Sequence, residues 1–241
     1  MTNETKKYEG NRMGVGYTLY DTGSHNVVIL GHGMGSNRHS FTINTLAERL
    51  ASSGVSSIAM DCQDTNEVLP IQTLVDRYAI ARDVASGYQT ADVFGTSLTG
   101  LASLMAANKI RSRKAGLRAP LIYFADMLDK KLGSEGIAKW QSTGYIEKNG
   151  NKMPYEFYKQ WRETDVDKVA EQLAQNQIQV GIIQGDKDEM VPYQFSQKFA
   201  RTAISKGTKV DLRMIEGADH SFTANPQTAQ DYIINFLAEG R

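Results

Sequence analysis

Short apolar runs alternate with longer segments of helical periodicity along most of this chain, and this alternation limits the possible folds more than any other feature. A run such as VVIL at residues 27–30 is bounded by turn residues, and the next segment repeats its apolar residues every three or four positions. Strands that alternate with helices typically form a parallel sheet with helices on both faces. The sequence therefore predicts an α/β fold with a mostly parallel, doubly wound sheet.

The predicted elements lie between residues 27 and 237, on both sides of a gap at 126–175. We expect strands at 27–30, 55–60, 91–94, 121–125, 180–183 and 210–215, and helices at 41–51, 71–88, 101–107, 194–205 and 228–237. Loops that follow parallel strands leave the sheet at one common edge. Residues that are distant in sequence can therefore meet there.

The alternation breaks between residues 126 and 175. We interpret this stretch as a small helical cap inserted into a single domain of residues 1–241. Its aromatic side chains either anchor the cap to the body or line a substrate cavity, and the sequence leaves both interpretations open. They include both tryptophans together with Tyr145, Tyr155, Phe157 and Tyr158.

The charge balance argues against one class of function. The chain has 241 residues, with 27 Lys and Arg against 27 Asp and Glu, so its formal net charge is zero. A neutral protein has no broad positive field to hold nucleic acid or an anionic membrane. We therefore expect a small-molecule substrate and no nucleic-acid partner, while the sequence leaves the oligomeric state open.

The sequence shows neither a membrane span nor a metal motif. It has no apolar run of about 18 residues and its first ten residues are polar, so we expect a cytoplasmic protein. The single cysteine, Cys62, forms no internal disulfide, and the four histidines lack metal-ligand spacing. We expect no cofactor and no metal, and we interpret Cys62 as a packing residue.

A serine stands at a predicted strand-to-helix turn in VFGTSLTG, residues 93–100. Gly95 lies two residues before Ser97, and small neighbours let a serine hydroxyl protrude from such a tight turn. The N-terminus of the following helix favours negative charge on a substrate. The sequence departs from the pattern G-x-S-x-G at Thr99, so this motif by itself is weak evidence for a nucleophile.

Two later loops carry groups that could activate this serine. GDKDEMVP at 185–192 follows one predicted strand and holds three carboxylates, and His220 follows the last strand. A serine hydroxyl is a weak nucleophile unless an imidazole takes its proton and a carboxylate orients that imidazole. We expect Ser97, His220 and one of these carboxylates to form a catalytic triad.

The loop GHGMG at 31–35, after the first predicted strand, is a candidate for an oxyanion hole. Such a hole needs two backbone N–H groups that point at the oxygen on which negative charge develops. We assign the two donors to Met34 and to Leu98, the residue after the predicted nucleophile.

These motifs together resemble those of the α/β-hydrolase family. LGHGMG at 30–35 is similar to the family's oxyanion loop, GTS at 95–97 to its nucleophile elbow, and GDKDEMVP to its acid loop. The chain order of serine, acid and histidine also resembles that of the family. The ending IEGADHSF at 215–222 looks like that of small bacterial esterases, which include the cinnamoyl and feruloyl esterases.

The resemblance implies roles for individual residues. The family's spacing in the acid loop selects Asp188 as the catalytic acid, in preference to Asp186 and Glu189. Thr99 stands where the family usually has glycine or another small residue, and a β-branched side chain there could change how the elbow sits.

The resemblance and the predicted triad imply a serine hydrolase that cleaves carboxylic esters through an acyl-Ser97 intermediate. His220 would act first as a base and then as an acid. An acyl thioesterase or acyltransferase on the same fold is the nearest alternative. A catalytically silent scaffold that binds a small molecule is a further one.

A basic cluster precedes the strand expected at 121–125. We place it on the edge of the sheet opposite the active site and interpret it as a solvated surface. The cluster consists of Lys109, Arg111, Arg113, Lys114 and Arg118.

Overall fold

The computed structural model describes residues 5–63, 67–148 and 150–239. Eight of its strands form one sheet: β1 (Lys6–Arg12), β2 (Val15–Asp21), β3 (Asn26–Gly31), β4 (Ser56–Met60), β5 (Thr90–Thr96), β6 (Lys114–Arg118), β9 (Gln179–Gly185) and β10 (Val210–Ile215). Two more strands, β7 (Tyr145–Lys148) and β8 (Asn151–Pro154), form a separate hairpin.

The strand order in the main sheet is β1-β2-β4-β3-β5-β6-β9-β10. The six strands from β4 to β10 in this order are parallel, whereas β1 and β2 are antiparallel additions at one edge. Within β3, β5 and β9 nearly every residue is buried, as expected of strands that helices cover on both faces. The structure confirms the predicted α/β fold with a mostly parallel, doubly wound sheet.

Helices cover both faces of the sheet. One face packs against α1 and α8, through side chains such as Leu46 and Ile233, and the other face carries α2, α3, α6 and α7. Across the described residues no helix combines the length and the apolarity that crossing a membrane requires. The helices are α1 (Phe41–Ser52), α2 (Ile71–Val84), α3 (Thr99–Ile110), α4 (Phe124–Thr143), α5 (Tyr155–Glu163), α6 (Val166–Gln175), α7 (Tyr193–Ser205) and α8 (Pro226–Ala238).

The structure corrects the prediction of a strand at 121–125. The strand lies earlier, at β6, and residues 121–123 form the connection to α4. β6 was missed because basic residues stand at both of its ends. Lys114 is nevertheless buried, since its ammonium donates hydrogen bonds to the carbonyl oxygens of Phe236 and Glu239.

The antiparallel hairpin of β1 and β2 was also missed. β1 is an edge strand with mostly exposed residues, so it has no buried apolar run to reveal it. β2 alternates between buried and half-buried residues and pairs with β4. The hairpin therefore extends the sheet beyond the first strand that the sequence predicts.

The stretch between β6 and β9 contains α4, the β7–β8 hairpin, α5 and α6. Its aromatic rings pack mainly on one another. The ring centroids of Trp140 and Tyr158 are 5.6 Å apart, and those of Phe157 and Phe124 are 5.5 Å apart. Both contacts join α4 to α5. The Trp140 indole N–H also donates a hydrogen bond to the carbonyl oxygen of Met153 in β8. These contacts support the anchoring interpretation of the aromatic side chains.

Candidate active site

Ser97 occupies a strained turn between β5 and α3. Its φ angle is +50°, in the left-handed region that non-glycine residues rarely adopt. Two glycines allow the close packing around it. A Cβ on Gly95 would lie 2.6 Å from the carbonyl oxygen of Thr99, and one on Gly100 would lie 2.6 Å from the Cβ of Pro120. The turn therefore has the geometry of a nucleophile elbow.

Thr99 fits this elbow and adds hydrogen bonds to it. It is the first residue of α3 and is fully buried. Its hydroxyl oxygen accepts a hydrogen bond from the backbone N–H of Thr96 at 3.0 Å and lies 3.2 Å from the carbonyl oxygen of Gly31. The side chain that departs from the family pattern thus connects the elbow to the end of β3.

Hydrogen-bond contacts join Ser97 to His220 and His220 to Asp188, although each of these residues follows a different strand. The distance from Ser97 Oγ to His220 Nε2 is 3.1 Å, and that from His220 Nδ1 to Asp188 Oδ2 is 2.8 Å. With the proton on Nδ1 donated to Asp188, Nε2 is free to accept the serine proton.

The Asp188 carboxylate accepts several hydrogen bonds besides the one from His220. Its Oδ1 accepts from the backbone N–H groups of Met190 and Val191, and its Oδ2 accepts from the side-chain amide of Gln184 at 2.8 Å. Burial alone would raise the pKa of this carboxyl group, but the hydrogen bonds from His220 and Val191 outweigh that effect and lower the pKa below its usual value. The carboxylate is therefore held ionised beside the imidazole.

Gln184 is a positioning residue that the sequence analysis did not find. It is fully buried in β9, and its amide oxygen accepts a hydrogen bond from Ser196 in α7. This contact orients the amide so that its N–H group points at Asp188. A single polar residue inside an apolar strand belongs to no motif, so only the structure reveals its role.

The two backbone donors assigned to an oxyanion hole lie next to the elbow. Leu98 follows Ser97, and Met34 follows Gly33, whose Cβ position is 3.4 Å from the Cβ of Ser97. Within the described residues, neither the Met34 nor the Leu98 backbone N–H has an acceptor in the protein. Both donors are therefore free to bind a substrate oxygen.

His32 fixes the shape of the loop that carries Met34. The ring is buried, its Nε2 accepts a hydrogen bond from the backbone N–H of Cys62, and its Nδ1 lies 2.8 Å from the carbonyl oxygen of Gly33. Burial lowers the pKa of His32, which favours the neutral ring, and because Nε2 accepts the Cys62 N–H the proton lies on Nδ1. This tautomer holds the loop in one conformation.

The remaining polar groups near these loops have structural contacts. Asp186 accepts a hydrogen bond from the backbone N–H of Gly217, and Asp219 accepts two from Thr223. Burial raises the pKa of the Cys62 thiol to about 12. Among the described residues, no three His, Cys, Asp or Glu side chains are grouped as metal ligands would be.

A cavity of about 590 Å³ opens at Ser97 and His220. On the side toward α4 its wall is mostly apolar, with Lys131 as an exception, and it includes three methionines. Of the aromatic side chains in the stretch between β6 and β9, only Phe124 lines it. The apolar lining residues on this side are Met34, Leu121, Phe124, Met127, Leu128, Leu132, Ile146, Met153 and Val191.

The structure corrects the placement of part of the basic cluster. Arg118 is the last residue of β6, so its side chain lies at the same edge of the sheet as Ser97 and lines the cavity. Its guanidinium donates a hydrogen bond of 2.5 Å to the carbonyl oxygen of Ser221 and lies over the ring of Phe222. The prediction of a solvated position opposite the active site is wrong for Arg118, because the strand begins earlier than expected.

The fold, together with an elbow serine in contact with a histidine, defines the protein as an α/β hydrolase. Comparison with family models gives a more specific assignment. Residues 66–239 match the model of the prolyl oligopeptidase family, and the chain belongs to that family. A comparison of the sequence with curated proteins finds no match.

Solved structures with a similar fold cover almost the whole chain. Est1E from Butyrivibrio proteoclasticus is 18% identical, with a TM-score of 0.79 over 97% of this chain and 98% of Est1E. The structure of Est1E with bound ferulic acid gives a TM-score of 0.81 at 18% identity, over 96% of this chain and 98% of that one. Alpha/beta hydrolase domain-containing protein 10 from mouse is 17% identical, with a TM-score of 0.71 over 96% of both chains. At such low identity these similarities show the fold alone.

Proposed function

We propose that this protein is a serine hydrolase that cleaves carboxylic esters through an acyl-Ser97 intermediate. The observation that supports it is the continuous set of hydrogen bonds from Ser97 through His220 to Asp188 at the mouth of an apolar cavity. Each of these side chains has the partner that its proposed role requires.

In the first half of the reaction Ser97 attacks the ester carbonyl carbon. His220 Nε2 takes the serine proton, and Asp188 stabilises the imidazolium that forms. The carbonyl oxygen becomes negative in the tetrahedral intermediate, where the backbone N–H groups of Met34 and Leu98 donate hydrogen bonds to it. When the intermediate collapses, the C–O bond to the alcohol breaks and His220 gives its proton to the departing oxygen.

In the second half a water molecule replaces the alcohol. His220 takes a proton from the water, whose oxygen attacks the acyl carbon and forms a second tetrahedral intermediate. The bond to Ser97 Oγ then breaks, and His220 returns a proton to that oxygen. The products are a carboxylic acid and the free enzyme.

The cavity wall favours an aliphatic acyl group of small to medium length. Met127 and Met153 are unbranched and polarizable, so they adapt to flexible chains, and Leu128 adds a buried branched wall. Burial of each methylene group contributes about 0.8 kcal/mol. We therefore expect kcat/KM to rise with acyl length until the cavity is full.

The direct test uses 4-nitrophenyl esters of increasing acyl length with purified wild-type, Ser97→Ala and His220→Ala proteins. We expect each substitution to lower kcat about a thousandfold or more, because triad residues act as a unit. Unchanged ester hydrolysis by the Ser97→Ala protein would overturn the proposal.

Two further substrates in the same assay define the bond that is cleaved. Acyl-CoA tests the thioesterase alternative, because a thioester uses the same acyl-enzyme chemistry. A 4-nitroanilide of a short peptide tests amide-bond cleavage, because the name of the prolyl oligopeptidase family indicates a peptidase. A higher kcat/KM for either one than for the best ester would replace the ester assignment.

A further inference from the structure

Arg118 is a half-buried cation in the cavity that the proposed ester hydrolysis does not use. Its guanidinium has several N–H donors, and the hydrogen bond to the Ser221 carbonyl oxygen engages one of its terminal nitrogens. No carboxylate of the described chain lies within ion-pair distance of it. The charge therefore lacks the direct partner that a buried cation normally has.

The nearby carboxylates do not supply that partner. Asp188 and Asp219 act on Arg118 from a distance, and burial lowers its pKa to about 10 in spite of them. Asp188 is bound by His220 and Gln184, while Asp219 accepts hydrogen bonds from Thr223. No aspartate or glutamate of the described chain lines the cavity. An anion that enters the cavity would therefore meet a positive charge that no lining carboxylate neutralises by direct contact.

Part of the remaining cavity lining is polar as well. Ser36, Ser40 and Thr42 line the cavity at the start of α1. The Ser40 hydroxyl oxygen is buried and has no hydrogen-bond partner among the described residues. The first turn of α1 contains no acidic residue, so the partial positive charge of the helix N-terminus is not offset there. Besides Arg118, the cavity therefore contains hydroxyl groups and a helix N-terminus that are compatible with an anionic group.

The position of Arg118 relative to His220 identifies the part of the substrate that it reaches. His220 gives its proton to the departing oxygen, so the leaving group lies beside that ring. Ser221 is the next residue, and its carbonyl oxygen holds the guanidinium. We place the acyl chain along the apolar lining residues of the cavity, such as Met127 and Leu128.

We propose that the substrate carries an anionic oxygen group, a carboxylate or a phosphate, on its leaving group, and that Arg118 binds this group. The planar fork of N–H donors in arginine matches both kinds of oxyanion. This inference rests on the proposed function, because it places the leaving group by the role of His220. The proposed contact with the leaving group makes Arg118 a specificity-determining residue.

The experiment compares three butanoyl aryl esters that differ in one para substituent of the phenol: a carboxylate, a phosphate or a neutral carboxamide. The ratio of kcat/KM for a charged ester to that for the neutral ester is measured in wild-type and variant proteins. Comparing ratios between proteins cancels the intrinsic reactivity of each leaving group. The carboxylate and phosphate substrates distinguish the two sources of the anion.

We expect Arg118→Gln to lower the ratio about tenfold to a hundredfold, as the loss of charge-assisted hydrogen bonds predicts. The change should lie mostly in KM for the two charged esters. Arg118→Lys should recover part of the ratio, because it keeps the charge and loses the fork. Arg201→Gln is the matched control, since Arg201 is exposed on α7 and should leave the ratio unchanged.

A measurement on the unaltered protein removes the dependence on variant folding. We expect 4-hydroxybenzoate to inhibit hydrolysis of the neutral ester competitively, with an inhibition constant about tenfold or more below that of 4-hydroxybenzamide. Equal inhibition by the two phenols would overturn the proposal.

Other outcomes also overturn it. If Arg118→Gln slows all three esters equally, Arg118 holds the histidine loop and does not select substrates. If the ratio falls in Lys131→Gln and not in Arg118→Gln, the second cation that lines the cavity binds the anion. If phenyl succinate, with its carboxylate on the acyl side, is the ester that depends on Arg118, the placement of the anion is wrong. Ester hydrolysis that survives Ser97→Ala would instead overturn the proposed function.

Discussion

At the scale of single residues, Thr99 shows how a departure from a family pattern can support a site. Its hydroxyl accepts from the Thr96 N–H and lies within hydrogen-bond distance of the Gly31 carbonyl oxygen, so it links the elbow to the strand that leads into the oxyanion loop. A glycine at this position would leave the buried Thr96 N–H without that acceptor. The side chain thus supports the elbow without lining the cavity.

We expect Thr99→Val to lower kcat about tenfold with little change in KM, because it keeps the side-chain shape and removes the hydroxyl. Thr99→Ser, which retains the hydroxyl, should stay within about threefold of wild type. The unpaired N–H of Thr96 should also lower the free energy of unfolding by about 1–3 kcal/mol in the valine variant. Kinetics and urea unfolding of the two variants check this, and equal activity of the two variants would contradict it.

Cys62 provides a second residue-scale prediction. Its side chain is fully buried and its thiol pKa is raised to about 12, so almost none of it is thiolate at pH 8. We expect no alkylation by iodoacetamide in the folded protein at pH 8 and complete alkylation in urea. Intact-protein mass spectrometry reads both states, and rapid modification of the folded protein would refute the assignment of Cys62 to packing.

The residues that sequence analysis found and missed differ in a physical way. Ser97, Asp188 and His220 stand in loops after predicted strands, where the topology of a parallel sheet brings them to one edge. Gln184 and Arg118 belong to strands and have no motif. Their contacts depend on which way each side chain points and what it meets, and the local sequence does not reveal that.

At the scale of elements, the bend in α4 shapes the apolar side of the cavity. Gly133 interrupts the helix with φ +65° and ψ 177°, a conformation that is essentially restricted to glycine. Lys131 and Leu132 line the cavity just before the bend. The break therefore directs the first part of α4 over the site.

We expect Gly133→Ala to lower the free energy of unfolding by about 1–3 kcal/mol, because an L-residue is strained in this conformation. The cause would be the backbone alone, since no atom lies within 4 Å of the added Cβ. Gly87→Ala is the matched control, because Gly87 has open space around it and no positive φ, and it should change stability by less than about 0.5 kcal/mol. Urea unfolding of both variants measures the difference, and equal stability would argue against strain at the bend.

Most elements on the parallel part of the sheet were predictable, and the exceptions have clear causes. β10 lies at 210–215 as expected, because apolar residues alternate with the charged residues Asp211 and Arg213 there. The strand was predicted at 121–125 and not at β6, because β6 begins with the charged residue Lys114. Lys114 is buried only because it donates hydrogen bonds at the C-terminal helix. β1 was missed because an exposed edge strand has no buried run.

At the scale of the whole molecule, the site is assembled from four loops at the carboxyl edge of the parallel sheet. They follow β3, β5, β9 and β10 and carry Met34, Ser97, Asp188 and His220 in turn. The fold class and the serine, acid and histidine order were predictable because they depend on topology. The cavity wall was not, because it depends on how α4 and the β7–β8 hairpin pack over that edge.

The most direct test of the central claim is the reaction of the intact protein with a fluorophosphonate probe, read by mass spectrometry. Such a probe modifies a serine only when a neighbouring base activates it. We expect one adduct on wild-type protein, none on Ser97→Ala, and a much slower reaction with Asp188→Asn, whose imidazole loses its orienting carboxylate. No adduct on folded wild-type protein, or an adduct that persists in Ser97→Ala, would contradict the assignment of Ser97 as the activated nucleophile.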